Sequence, residues 1–279
     1  MLSLFSRDYD SARDLLLSLA QSNGDWYHEA HVHPLPGLSG NPLYTDVLRR
    51  GPTDASRVLV ISSGTHGVEG FCGSAIQSQF VKADPVLPDD LAVVLIHAVN
   101  PFGFSHLRRV TEDNVDINRN FVDFDSGQLD NDAYRELDSL LNPVDMPPGA
   151  IEEIVQKLLE LQSSMDFLRF FKAVSGGQYE FPKGIQFGGF WPGWSRTTVE
   201  SIWAQHLRGA DTVVHIDIHT GLGDNGVGYL MMAANEDEPH HALVREWFGE
   251  VIITPRPLSR EDTVLGGYMN AGMESALHD

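Results

Sequence analysis

The chain has 279 residues, 42% of them hydrophobic and 21% charged, a composition that suits a folded domain and excludes a disordered segment. Its formal charge of −20 and pI near 4.8 exclude a general affinity for nucleic acid phosphates or anionic membranes, which would repel it. A single cysteine, Cys72, excludes a disulfide framework and a cysteine-rich zinc module, and reads as a small buried thiol. Residues 1–20 lack the charged-then-apolar layout of a secretory signal, and no apolar run reaches the length of a membrane span. The expectation is therefore one soluble, cytoplasmic α/β domain over residues 1–279.

A helix is predicted first, because Tyr9, Ala12, Leu15, Leu16 and Leu19 fall on one face and Asn23-Gly24 stops it. Two β-like stretches follow, Trp26 to Val32 and Pro42 to Leu48. His31 and His33 share a face of the first, but no third ligand stands near, so a solvated strand face is expected. Arg57 to Ser62, a turn at His66, a helix through Val81 and a strand from Leu91 to Val99 make a βαβ unit. Its second strand is an unbroken apolar run, the mark of burial on both faces. Residues 100–121 read as a loop, long enough to suggest that it has work to do.

Helices are predicted over Ala133 to Leu141 and Ala150 to Val174. In the second, Ile151, Ile154, Leu158, Leu161, Met165 and Leu168 form a stripe expected to pack on the core. Residues 176–194 are rich in Gly and aromatics, which fits either a pocket lining or a packed loop. A helix from Thr198 to Leu207 leads to a buried strand, Thr212 to His219. Beyond Gly221-Leu222-Gly223 come a β-like run (Gly228 to Ala233), a helix (His240 to Phe248), a short strand (Val251 to Thr254) and a terminal helix (Asn270 to Leu277).

The chemistry-bearing residues gather at strand ends. His66 and Glu69 lie in a strand-to-helix turn, where open α/β sheets build their sites. With a later histidine they would supply the three protein ligands of a hydrolytic zinc site. His215, Asp217 and His219 alternate onto one strand face, so His215 is a rival to His219. His219 is preferred because it is nearer the strand's carboxyl end, with Asp217 as the residue that orients it. For Arg108, Arg109 and Arg119 the plain reading is surface pairing with Glu112, Asp113 and Asp116.

These motifs, taken in order, carry a resemblance. His66-Gly-Val-Glu69, Asn100-Pro101, Arg109-Val-Thr111, Val115-Asp-Ile-Asn-Arg-Asn-Phe121 and Asp217-Ile-His219 resemble the zinc carboxypeptidase family, and look most like its uncharacterised bacterial branch. Aspartoacylase-like and succinylglutamate desuccinylase-like proteins are more distantly similar. The resemblance implies a three-layer α/β/α fold with a mixed, mostly parallel sheet. It implies one zinc ion held by His66, Glu69 and His219, with Arg109 polarising a scissile carbonyl and Asn118 and Arg119 holding a substrate carboxylate. A guanidinium suits that last task because it stays charged and grips a carboxylate with two parallel hydrogen bonds.

One part of the family pattern is missing. The family's general base is a Glu on a late strand, and here only Glu261 and Glu274 stand in the last stretch, neither in a strand-like setting. This suggests a sheet without its last strand or strands and leaves the base unidentified. Three readings follow: a zinc hydrolase of amide bonds beside a free carboxylate, acting on small peptides; a deacylase of N-acyl amino acids; and a zinc- and carboxylate-binding module or shortened, catalytically weak copy that lacks the general base.

Overall fold

The computed structural model describes residues 2–126, 129–221, 223–232, 239–249, 252–253 and 267–278. The elements run α1 (Tyr9–Asn23), β1 (Tyr27–Pro36), β2 (Pro42–Arg50), β3 (Arg57–Ser63), α2 (Gly70–Ala83), β4 (Leu91–His97), α3 (Pro101–Ser105), α4 (Asp132–Leu141), α5 (Ala150–Ser164), α6 (Phe167–Ser175), α7 (Trp194–His206), β5 (Thr212–Ile218), β6 (Leu230–Met231), α8 (Pro239–Phe248), β7 (Ile252–Ile253) and α9 (Met269–His278). Two compact units are distinguished: Met1–His219 with Leu265–Asp279, and Thr220–Val264. The second holds the parallel pair β6 and β7 together with α8. Among the described residues no helix is long and apolar enough to cross a membrane.

The first unit is built on a mixed five-stranded sheet, ordered β1-β2-β4-β3-β5. β3 is parallel to both β4 and β5, whereas β1 and β2 form an antiparallel flank. The α/β architecture expected from the motifs is therefore present. Alternation along β4 explains its three layers. Ala92, Val94 and Ile96 pack on one face with Ile202 and Trp203 of α7, with Leu207 just after it, and with Met269 and Met273 of α9. Val93 and Leu95 pack on the other with Leu16 and Ala20 of α1 and Val81 of α2. At about 25 cal/mol per Å² of apolar surface, each such buried side chain contributes about 2 kcal/mol.

Three expectations change. The long helix predicted over Ala150 to Val174 is two helices, because Asp166 leaves the helical path and caps α6 by accepting from Arg169 N. No residue of α5 is fully buried, and Ile151 is 63% exposed, so the apolar stripe is not a core face. Only Leu161 of α5 joins a buried cluster, beside Leu137 and Ala173. Finally, the loop over residues 100–121 contains α3 and a 3-10 turn at Ile117–Arg119.

Candidate metal centre

β3 ends at Ser63 and β5 at Ile218, neighbouring parallel strands, so the turn after β3 and the residue after β5 emerge side by side. His66 is extended (φ −93°, ψ 114°) and a 3-10 turn, Gly67–Glu69, follows it. The turn is stitched to the loop above: Gly67 N donates to Arg109 O at 3.2 Å and Val68 N to Arg108 O at 3.0 Å. That approach requires glycine, since a Cβ at Gly67 would lie 2.0 Å from the Gly103 carbonyl carbon. Asn100 closes the arrangement by capping α3, its Oδ1 accepting from Gly103 N at 2.8 Å. Thus the Asn100-Pro101 and Arg109 motifs brace the His66 turn.

One ligand atom each from His66, Glu69 and His219 lies within 4.8 Å of the others. Glu69 sits between the rings: Oε1 is 3.0 Å from His66 Nδ1, and Oε2 is 3.0 Å from His219 Nδ1. Each ring turns its other nitrogen to a carboxylate. His66 Nε2 is 3.3 Å from Asp116 Oδ1, and His219 Nε2 is 2.5 Å from Asp217 Oδ2. A carboxylate on the far nitrogen would hold the proton there once a metal took the Nδ1 lone pair, the arrangement that metal-binding histidines adopt; without metal, Nδ1 is the side that faces the Glu69 carboxylate.

The network behind His219 is equally directional. Asp217 Oδ1 accepts from Ser62 Oγ at 2.6 Å and from Thr65 Oγ1 at 2.9 Å. Ser62 Oγ is also 2.7 Å from His215 Nε2. The hydroxyl has one hydrogen and the carboxylate takes it, so His215 Nε2 must donate. His215 is therefore held against Ser62 and Trp203, and the choice between it and His219 falls to His219 on geometry.

Charge supports a cation at this place. Glu69 and Asp116 pair with Arg109, Arg119 also acts on Asp116, and Asp217 pairs with His219, so the three carboxylates exceed the two guanidiniums by one negative charge when both imidazoles are neutral. Burial works against a charged His219, but Asp217 and Glu69 outweigh it and push its pKa up to about 10. Burial would likewise raise Asp217, yet His219 and Ser62 hold it at about 2. Asp116 is held well below the usual carboxylate range by His66, Arg109 and Arg119 against a large burial penalty. The donor set, two imidazoles and a carboxylate, fits a divalent ion of the zinc type.

Asp116 is a candidate site residue that the sequence did not single out. It was grouped with surface acids, but its side chain is only 1% exposed. Its Oδ2 accepts from Arg109 Nε at 3.1 Å and from Nη2 at 3.0 Å. Arg109 is 44% exposed and its Nη1 lies 3.7 Å from Glu69 Oε1, beside the three ligand residues. Asn118 is buried, and its Oδ1 accepts from Met269 N at the start of α9. Arg119 is also buried: it donates to Asn118 O and Ser175 O, stacks 4.9 Å over Tyr268, and its Nε has no hydrogen-bond partner among the described residues. Arg108 donates to Asn114 Oδ1. Glu261 and the side chain of Glu274 lie outside the described residues.

The β1 histidines depart from expectation. His33 is 4% exposed, not solvated, and its ring meets Trp194 edge-on at 4.6 Å. His28 pairs with Asp46 and His31 with Glu29, so neither joins the other in a metal-binding group.

The chain matches, over residues 5–279, the family described as protein of unknown function (DUF2817). It belongs to that family. Comparison with curated proteins gives no match. Among solved structures, thrombin activatable fibrinolysis inhibitor is similar over 96% of this chain and 63% of its own, with a TM-score of 0.54 at 12% identity. The carboxypeptidase A of Helicoverpa armigera is similar over 87% of this chain and 52% of its own, at 16% identity and a TM-score of 0.44. A putative succinylglutamate desuccinylase/aspartoacylase from Shewanella frigidimarina covers 71% of this chain and 46% of its own, at 18% identity and a TM-score of 0.37. The likeness to thrombin activatable fibrinolysis inhibitor bears on fold, where the resemblance drawn from the motifs is met. The chain spans between about half and two thirds of the length of these structures.

Proposed function

We propose that this chain is a zinc-dependent hydrolase of amide bonds lying beside a free carboxylate, in the manner of a metallocarboxypeptidase. The observation that carries the reading is the convergence of His66, Glu69 and His219, with each imidazole backed by its own carboxylate. Zinc held there would supply an acidified water and polarise a carbonyl. Arg109, half exposed at the edge of the group, is placed to meet negative charge developing on that carbonyl oxygen. Asn118 and Arg119 are assigned to the substrate carboxylate on the motif match: the Asn118 oxygen is taken by Met269 N, and Arg119 brings a buried Nε without a partner among the described residues. Purified zinc-loaded chain should hydrolyse C-terminal peptide bonds, and Arg109→Ala should lower kcat by about a hundredfold or more. Hydrolysis of N-acyl amino acids but not peptides would turn the assignment to a deacylase.

One observation favours a second reading. Among the described residues, the carboxylates besides Glu69 that contact the two rings, Asp116 and Asp217, are engaged by the far ring nitrogens. A general base typically supplies about a hundred- to ten-thousand-fold. Zinc binding without turnover on either substrate class would favour a carboxylate-binding module.

A further inference from the structure

A cleft of about 210 Å³, room for about seven waters at liquid density, lies between residues 111–117 and the aromatic loop before α7. None of the three metal-ligand candidates lines it. Asp116 is extended (φ −76°, ψ 113°), so its side chain and those of its neighbours point to opposite sides. Asp116 reaches His66 and Arg109, while Val115 and Ile117 line the cleft. The two places are back to back across one stretch of chain.

The outer wall is rigid and apolar. Asn120, buried, pins the loop with three hydrogen bonds: Nδ2 donates to Gly188 O at 2.6 Å and to Trp191 O at 3.0 Å, and Oδ1 accepts from Gly193 N at 2.9 Å. Yet the loop holds Phe190 50% and Trp191 62% exposed. Large rings fixed in water without local cover are the usual make-up of a binding surface, because ordering them costs nothing further when a ligand arrives. Phe187, with its ring 5.0 Å from Phe190, forms the buried floor.

The cleft lining carries two carboxylates, Glu112 and Asp113, against one guanidinium, Arg196. Arg196 is engaged by Glu200 and by the carbonyls of Asn120 and Val122. Glu112 lies 3.3 Å from His33 Nε2 and stays ionised, the His33 contact overcoming a burial penalty. Aromatic faces beside carboxylates attract cations and repel anions.

We propose that this cleft binds a small organic cation with an apolar body, its ammonium group at Glu112 and its hydrocarbon against Phe190 and Trp191. The inference is independent of the hydrolase reading and holds whether or not zinc is bound.

Benzylamine, benzyl alcohol and benzoate, three probes of one size and different charge, would be titrated against the full chain with tryptophan fluorescence as the readout. Benzylamine should saturate, benzyl alcohol should bind about tenfold more weakly, and benzoate should not bind. Glu112→Gln should bring benzylamine down to the alcohol's affinity. Trp191→Ala, at an exposed position, should weaken benzylamine about tenfold without lowering the unfolding temperature. His66→Ala should leave binding unchanged, which separates the cleft from the metal centre. Absence of saturation, benzoate binding as well as benzylamine, or indifference to both cleft substitutions would overturn the proposal.

Discussion

The Asp116 carboxylate ties His66 to Arg109: Oδ1 lies 3.3 Å from His66 Nε2, and Oδ2 accepts two hydrogen bonds from the Arg109 guanidinium. A single buried anion thus sets the ring on which metal binding would depend and the cation that would meet the substrate. Asp116→Asn keeps the shape but loses the charge. It should weaken zinc binding about 10- to 100-fold, measured by competition with a chromophoric chelator. Asp116→Ala should also cost about 1–3 kcal/mol of stability, because the buried His66 Nε2 loses its partner and Arg109 loses two hydrogen bonds. Unchanged zinc affinity in both variants would remove Asp116 from the site.

Proton linkage gives a second prediction. His219 in the folded chain titrates at about 10 against an ordinary 6.5, so without metal its contribution to stability is complete below pH 6.5 and fades as pH rises through 10. Asp217, at about 2 against 3.8, contributes above pH 3.8 and its share is lost as pH falls toward 2. Denaturant titrations of metal-free protein should therefore show stability falling between pH 7 and 10, and His219→Ala should flatten that slope. Zinc added near pH 8 should release about one proton, read with an indicator dye, since the ligand imidazole must be neutral.

Close packing supplies a third. Gly67→Ala places a methyl 2.0 Å from the Gly103 carbonyl carbon, both partners being backbone. The turn must move, at a cost of about 1–3 kcal/mol by analogy with overpacked cores, and zinc affinity should fall with it. A variant with unaltered stability and metal binding would show that the turn tolerates a Cβ.

The exposed stripe on α5 supplies the control. Ile151→Ser, at a position 63% exposed, should change unfolding free energy by no more than about 0.5 kcal/mol in urea titration. Leu161→Ala, in contact with the Leu137 and Ala173 cluster, should cost clearly more.

What the sequence disclosed follows from what local pattern can carry. The unbroken apolar run of β4 announced a strand buried on both faces, and motif order brought His66, Glu69 and His219 to one place. The α5 stripe had helical spacing, but spacing cannot say whether a partner lies opposite. His33 was read as solvated because Trp194, which covers it, stands far along the chain. Asp116 was hidden among Glu112 and Asp113 by composition alone. One signal could have found it: it stands between Val115 and Ile117, both buried, so an ionised residue in that setting needs fixed partners. Arg119 matched the family string, while its contacts with Ser175 and Tyr268 depend on elements distant in sequence.

The central claim is that three side chains converge on one divalent ion. Crystals of the chain grown with zinc should give, in anomalous difference maps recorded at the zinc edge, a single strong peak about 2.0–2.2 Å from His66 Nδ1, His219 Nδ1 and a Glu69 carboxylate oxygen. A map with no peak there, or with its peak at His28 or His31 instead, would contradict the account.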